Sequence, residues 1–526
     1  MKDINRILLP ITTFLLGAAI ALFVAKRLNH NHLADAPGKQ KFDEVLSYVD
    51  RFYCDDVSEE KLFAGAIQGM LQTLDPHSVY SSAEENKQFM ESLGGGFEGV
   101  GIQFNIMNDT VMVIAVTSGG PSEKAGIMAG DRIVTVNGQN IAGVHIAEDR
   151  VFKILRGQKG TKVTIGILRP GTKEVKRYNV IRDKISTSTL DVAYMLNDHV
   201  GYIKLNQFGE KTYEEFYSAV SSLKNMGMSS LVLDLRGNGG GYLGAAIKIC
   251  DAFLPKNEMI VYTEGKNTST EEVRATAAGC FEKGKLVVLI DEFSASASEI
   301  VAGAVQDNDR GWVIGRRSFG KGLVQQQFDM DDGSSLRLTI ARYHTPSGRC
   351  IQRKYTNGTN DYYEDLLRRY ENGELDSEDS IKMDKSLKYK TKKGRVVYGG
   401  GGIMPDYFVP IDRDSSVLAF NEVFNTGLVT EFAFNYTTQH RAQLTKAYPN
   451  AHAFVKNMTP SSALVQEFVS FYQKKNGKLN LNDASMKELK LWLKAMIGRN
   501  LYKENAFYPV ANSSDRAIKK ALEVLK

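Results

Sequence analysis

In FDEVLSYVDRFY (42–53) and EEKLFAGAIQGMLQTL (59–74) apolar residues return every three or four positions, the spacing that lines one face of a helix. The Asp-Pro pair of LDPHSVY (74–80) interrupts that rhythm, because proline disfavours helical backbone at the residue before it. From Gly94 the pattern changes to short β runs such as TVMVIAV (110–116), separated by glycine turns and one short helix. Beyond residue 185 strands and helices alternate. VGYIKLNQF (200–208), SLVLDLR (230–236) and KLVVLIDE (285–292) read as buried strands, and the segments starting at Thr212, Gly241 and Ser296 read as helices. That order predicts a parallel sheet with right-handed crossovers and a site at the strand ends. From about residue 411 the chain is polar and helical again, as in VLAFNEVFNTGLVTEFAF (417–434) and DASMKELKLWLKAMI (483–497).

The expectation is therefore a multidomain α+β chain. Residues 1–30 are a signal peptide or anchor, 31–93 an N-terminal helical region, and 94–183 a small β domain. An α/β core spans 184–410 and a C-terminal helical region 411–526. At 526 residues the chain exceeds what one core usually supports, and 43% apolar with 24% charged residues is ordinary for globular proteins. A net charge of +5 gives no electrostatic footprint for nucleic acid. The basic run 382–395 follows the acidic stretch 371–379 and reads as a solvated insertion. Cys54, Cys250, Cys280 and Cys350 are widely spaced without a CxxC pair, so zinc and dithiol motifs are absent. Cys250 reads as a buried thiol.

Nineteen mostly apolar residues, Ile7 to Ala25, lie between Lys2 and Arg6 on one side and Lys26 and Arg27 on the other. The segment predicts export, with the segment cleaved or kept as an inner-membrane anchor, and a place in the cell envelope or periplasm. No clean small-x-small cleavage site precedes Lys26, which favours the anchor.

Two strand-to-helix junctions carry candidate chemistry. In LDLRGNGGG (233–241) a buried strand opens into a glycine turn whose N–H groups suit an oxyanion or a phosphate equally. In DEFSASASE (291–299) Ser296 with Glu299 matches a helix capping box, and the same place at a helix start offers N–H groups beside a nucleophile. A serine needs a base, and none of the eight histidines sits in a glycine-flanked turn near these junctions. Lys321, in RSFGKGLVQ (317–325), has apolar rather than acidic neighbours; it is either a solvated loop lysine or a buried amine able to act as a base. Gln325 lies four residues on and could orient that amine. Gly315 to Lys321 also matches the start of a phosphate loop, but Gly322 stands where magnesium binding needs Ser or Thr.

The segment from Gly94 to Gly138, with AGIMAGDRIVTVNG (125–138), resembles a bacterial-protease PDZ domain, and Gly99, Val100, Gly101 and Ile102 resemble its carboxylate-binding loop. Together with LDPHSVY, LDLRGNGGG, SASASEIVAGAVQD, GKGLVQ, ARYHTPSGRCIQ and GGIMPD, the chain over about 40–410 resembles the carboxyl-terminal processing peptidases. The resemblance implies a PDZ domain set before a crotonase- or Clp-protease-like peptidase core. It implies Ser296 as nucleophile, Lys321 as base, Gln325 as its support, and an oxyanion hole from the N–H of Ala297 and that of Gly239 or Gly240. It implies no cofactor or metal, protein substrates with unstructured C-termini, and room for a homodimer or an adaptor partner at the helical ends. Gly237 departs from relatives that carry Asn there, and the region after 411 lies outside the family pattern.

Overall fold

The computed structural model describes residues 37–526 apart from 118 and 357, so the expected export or anchor segment lies outside the described residues. No helix among the described residues is long and apolar enough to cross a membrane. The first compact unit ends at Met70 and carries the helix Pro37–Phe52 and most of Glu59–Gln72. Phe42, Val45, Tyr48 and Phe52 recur at helical spacing on the first helix and are exposed as one apolar stripe.

In the second unit, Leu71–Lys526, the strands Gly96–Gly99 and Asp183–Ser186 pair antiparallel and close the neck of a small β domain. Its sheet runs Ile102–Met107, Thr110–Val116, Arg132–Val136, Lys162–Leu168, Val175–Ile181, with every pairing antiparallel. The first hairpin turns on Asn108 and Asp109 at φ 49° and 54°, a left-handed pair that these two residue types tolerate. Ile102–Met107 has a single strand neighbour and forms an edge of the sheet. The helix Glu148–Leu155 buries Val151 and Leu155, and its Phe152 meets Phe104 with ring centroids 4.9 Å apart.

The larger core holds two sheets. One has the order Leu190–Met195, Val200–Leu205, Ser230–Asp234, Lys285–Ile290, Trp312–Gly315, Tyr407–Phe408, parallel after the first pair. Its strands are apolar at consecutive positions because both faces are covered. Leu231, Leu233 and Val288 face a cluster shared with Phe216, Phe253 and Val301 of the crossover helices. Val232, Val287 and Leu289 face the last helix, Arg516–Leu525, through Ala517, Ile518, Ala521 and Leu525. The end of the C-terminal region thus completes the core of the parallel sheet, whereas Phe432, Phe454, Phe468, Leu489 and Leu493 form a separate helical core. Asp515 caps the last helix at the N–H groups of Ala517 (2.8 Å) and Ile518 (3.0 Å) and accepts from Arg236 Nη1 (2.8 Å). Arg236 also pairs with buried Asp234 (2.6 Å), so the cap is tied to the strand end before the glycine turn.

The second sheet is antiparallel: Val79–Ser81, Ser335–His344, Met259–Glu264, Glu271–Arg274, with Leu323–Asp329 also on Ser335–His344. In that last pairing Val324 lies opposite Ala341 and Gln325 opposite Thr339, so Ile340 is the extra residue of a bulge. Bulges re-aim neighbouring side chains, and this one sits at Gln325. Cys250 is fully buried and all four cysteines are free thiols.

A buried ion pair anchors the far end of the helix Ala297–Asp307. Arg349 Nη2 lies 2.7 Å from Asp307 Oδ1, both side chains are fully buried, and Arg349 also donates to Gln306 Oε1 (2.7 Å) and the Tyr398 carbonyl (3.0 Å). Arg349→Met is expected to destabilise the fold by about 3–5 kcal/mol, because it strands the Asp307 charge in the core. Urea unfolding measures this, and a loss below about 1 kcal/mol would show that the hydroxyls of Thr345 and Ser347, which also donate to Asp307 Oδ2, suffice.

Candidate active site

The helix that begins at Ala297 is buried at all its positions, Ala297 to Asp307, and small residues such as Ala302, Gly303 and Ala304 let it sink between the sheets. Ser296 precedes it at φ 55°, ψ −113°, a backbone state that costs a non-glycine residue about 1–3 kcal/mol. Such strain persists only where the surroundings over-determine it. Here Ser294 Oγ donates to the Leu235 carbonyl (2.9 Å), Ala295 N–H to the Asn238 carbonyl (3.1 Å), and Ser298 Oγ to that same carbonyl (2.8 Å). The serine turn and the glycine turn are thereby bound to each other.

Glu299, expected as the far half of a local capping box, does more. It is fully buried. Its Oε2 accepts from Ser296 N–H (2.9 Å) and Lys321 N–H (2.9 Å), and its Oε1 from Gly320 N–H (2.7 Å) and the Ser318 hydroxyl. One carboxylate therefore clamps the backbone of the serine to that of the lysine. Burial raises its pKa, and the donated hydrogen bonds oppose that shift. Tyr343, also buried, adds a second tie: its hydroxyl donates to the Lys321 carbonyl at 2.8 Å and lies 3.2 Å from the Ser296 carbonyl. Phe319 N–H adds a third, to the Ser294 carbonyl at 3.0 Å. Glu299→Gln keeps the shape but turns an amide NH2 toward N–H and O–H donors. It is expected to destabilise the fold by about 2–3 kcal/mol, read from urea midpoints, with no change expected if the clamp is dispensable.

Lys321 is a half-buried amine. Burial, and then the charge of Arg337, lowers its pKa from the ordinary lysine value. Nζ donates to Gln325 Oε1 at 3.0 Å, and among the described residues no hydrogen bond joins it to the Ser296 hydroxyl. The Gln325 amide is oriented from its other end, where Nε2 donates to the His77 carbonyl. This gives LDPHSVY a task invisible in the sequence. Asp75 Oδ1 accepts from His77 N–H (2.8 Å) and Ser78 N–H (2.9 Å), and Oδ2 from Ser78 Oγ (2.6 Å). That turn presents the His77 carbonyl. The imidazole itself is turned away onto Tyr362 (Nε2 to hydroxyl 2.8 Å), and burial with the nearby Lys321 charge lowers its pKa to about 3.

In the glycine turn Gly237, Gly240 and Gly241 have φ of 69°, 101° and 145°. A Cβ on Gly240 would stand 2.8 Å from the Ala295 carbonyl oxygen and 2.9 Å from Ser296 Cβ, so only glycine permits this approach. Gly240 N–H is already taken by Asn238 Oδ1 at 2.9 Å. The N–H groups of Gly239 and Ala297 have no acceptor among the described residues. Ser296, Ala297, Gly239, Gly240, Lys321 and Gln325 all line one cleft of about 890 Å³, whose apolar wall includes Met90, Leu93, Ile300, Leu323 and Val324. The Gly99–Ile102 loop is not part of that lining. It lies in the small β domain, where Gly101 has φ 72° and the Val100 carbonyl accepts from Ser122 N–H (3.1 Å) and Oγ (2.7 Å).

Comparison with known proteins matches residues 199–362 to peptidase family S41, 99–180 to the PDZ domain and 24–85 to the N-terminal domain of the activating protease CtpB. Residues 419–503 match a family of unknown function. The carboxy-terminal processing protease CtpA of Bacillus subtilis is 32% identical over 407 residues, covering 74% of this chain and 86% of that protein. CtpB of the same organism is 34% identical over 404 residues, 74% and 82%. A carboxy-terminal-processing protease of Bartonella bacilliformis is 35% identical over 353 residues, 66% and 80%. The chain belongs to the carboxy-terminal processing proteases of peptidase family S41. In this member of the family the small β domain is the PDZ domain, and the cleft described above lies within the S41 peptidase part and its flanks.

Proposed function

We propose that this protease is an endopeptidase in which Ser296 attacks the scissile carbonyl and Lys321 is its base. The carrying observation is their meeting in one cleft: a serine held at a strained helix start and a half-buried lysine whose charged form is disfavoured. Lys321 Nζ takes the Ser296 Oγ proton as the Oγ–C bond forms. It returns that proton to the departing amine as the C–N bond breaks, and water then repeats the sequence on the acyl group. The N–H groups of Ala297 and Gly239 support the reading of an oxyanion hole, since Gly240 N–H is occupied inside the turn. Gln325, fixed by His77, holds the amine and leaves its lone pair for Ser296. A hydrogen bond from the Ser296 hydroxyl to the amine nitrogen would form on substrate binding, since catalytic hydrogen bonds are often long or absent in resting active sites. The scheme calls for no cofactor.

The PDZ domain would take the free carboxylate of an unstructured protein C-terminus at Gly99–Ile102 and pair the tail on Ile102–Met107. Residues 1–30 would export the chain and tether it at the inner membrane, facing the periplasm. The test of tail recognition uses one folded protein with a disordered apolar tail, its carboxylate free or amidated. Cleavage at least about tenfold faster for the free carboxylate is expected; equal rates refute tail recognition without touching the Ser296 assignment.

A further inference from the structure

The first half of the glycine turn is held by hydrogen bonds rather than by packing, for a Cβ on Gly237 or Gly239 would meet nothing within 4 Å. Gly237 N–H donates to Asp291 Oδ1 (2.9 Å) and Asn238 N–H to the Leu235 carbonyl (3.1 Å). Arg236 stands at the entry of the turn and is gripped from two sides. Its N–H and Nε donate to Asp234 Oδ1 (2.9 and 3.0 Å) and its Nη2 to Asp234 Oδ2 (2.6 Å), while Nη1 donates to Asp515 Oδ2 (2.8 Å). Its carbonyl accepts from Lys204 Nζ. The strand-side grip is itself anchored, since Asp234 also accepts from the buried Tyr202 hydroxyl at 2.7 Å. The other grip comes from the N-cap of the last helix, which lies beyond the four matched segments. The same end of the chain braces a second residue of the cleft: the Tyr508 hydroxyl donates to Asp191 Oδ2 (2.7 Å), and the other oxygen of Asp191 accepts from Asn206 Nδ2.

We infer that Asp515 is a positioning residue of the reaction: through Arg236 it fixes the entry of the glycine turn, and with it the Gly239 N–H that faces the developing oxyanion. The inference rests on the reading of that N–H as half of an oxyanion hole. The two oxygens of Asp515 divide the work, Oδ1 capping the helix and Oδ2 holding Arg236. Each side chain of the pair is 22% exposed, and a pair this open contributes little to stability. A planar guanidinium held along two edges cannot swing, so the pair acts on geometry. Loss of an oxyanion donor costs about 10²–10³-fold in kcat, and a donor displaced rather than lost costs part of that.

The test compares wild type with Asp515→Asn and Asp515→Ser. Both replacements cap a helix as aspartate does, but Asn turns an amide NH2 toward Arg236 and Ser is too short to reach it. The probes are an apolar peptide aldehyde, whose adduct with Ser296 puts an oxygen in the hole, and the matching peptide alcohol, which forms none. In both variants kcat should fall by about tenfold with KM within about twofold, and the aldehyde's advantage over the alcohol in Ki should shrink by about tenfold. The thermal midpoint should stay within about 2 °C of wild type. An aldehyde advantage within about twofold of wild type in both variants, whatever their kcat or midpoint, overturns the role of Asp515 and leaves the oxyanion hole standing. No aldehyde advantage in wild type removes the hole, and the role of Asp515 with it.

Discussion

Alanine in place of Lys321 is expected to lower kcat by about 10³-fold or more, with the fold retained, because the serine hydroxyl is then left without a base. Arginine should not rescue it, since a guanidinium stays protonated. The wild-type pH profile follows from the direction of the lysine's shift. Burial disfavours the ammonium, so the neutral, proton-accepting amine is present above the lowered pKa and is lost as pH falls through it. Activity should therefore rise with pH to a plateau reached below the ordinary lysine range. A rate that stays flat into acid, or an active Lys321→Ala variant, argues that another group takes the proton. His77 is poorly suited to be that group. Its ring is turned to Tyr362, and only its carbonyl serves the site.

The second large effect concerns Ser296. Ser296→Ala is expected to abolish turnover, a loss on the order of 10⁶-fold if the nucleophile acts as in other serine peptidases. The backbone adds a separate signature. At φ 55° alanine keeps the strain while glycine relieves it, so Ser296→Gly should be equally inactive yet more stable than Ser296→Ala by about 1 kcal/mol. Guanidinium unfolding of the two variants decides this. A less stable glycine variant would mean that the serine turn stores no strain.

Much of the architecture is legible in the residues, because two-sided burial writes itself as continuous apolar strands, such as SLVLD and KLVVLI, followed by turns rich in small residues. The junctions at LDLRGNGGG and SASAS therefore stand where a site belongs. What remains hidden depends on contacts between distant segments. The Ser296/Glu299 spacing is that of a helix cap, and nothing local shows that the same carboxylate also holds Gly320 and Lys321. The service of LDPHSVY is rendered by the His77 carbonyl, a backbone atom that residue identity does not reveal. Gly239 and Gly240 are indistinguishable as letters. They separate only because the Asn238 side chain turns back onto one N–H. The last helix reads as part of a polar helical tail, yet its stripe at 517, 518, 521 and 525 covers the second face of the parallel sheet. Periodicity reports that a face is apolar, but not which element it covers.

The most direct measurement is the site and pH dependence of acylation. Wild type and Lys321→Ala would be mixed with a p-nitrophenyl ester of an apolar tail peptide, acid-quenched, digested and read by mass spectrometry. The acyl group should sit on Ser296 and form in wild type at a rate that climbs with pH as the amine loses its proton, with the climb gone and the rate collapsed in Lys321→Ala. An acyl group on any other residue, or equal rates in the two proteins, would contradict the pairing of Ser296 with Lys321.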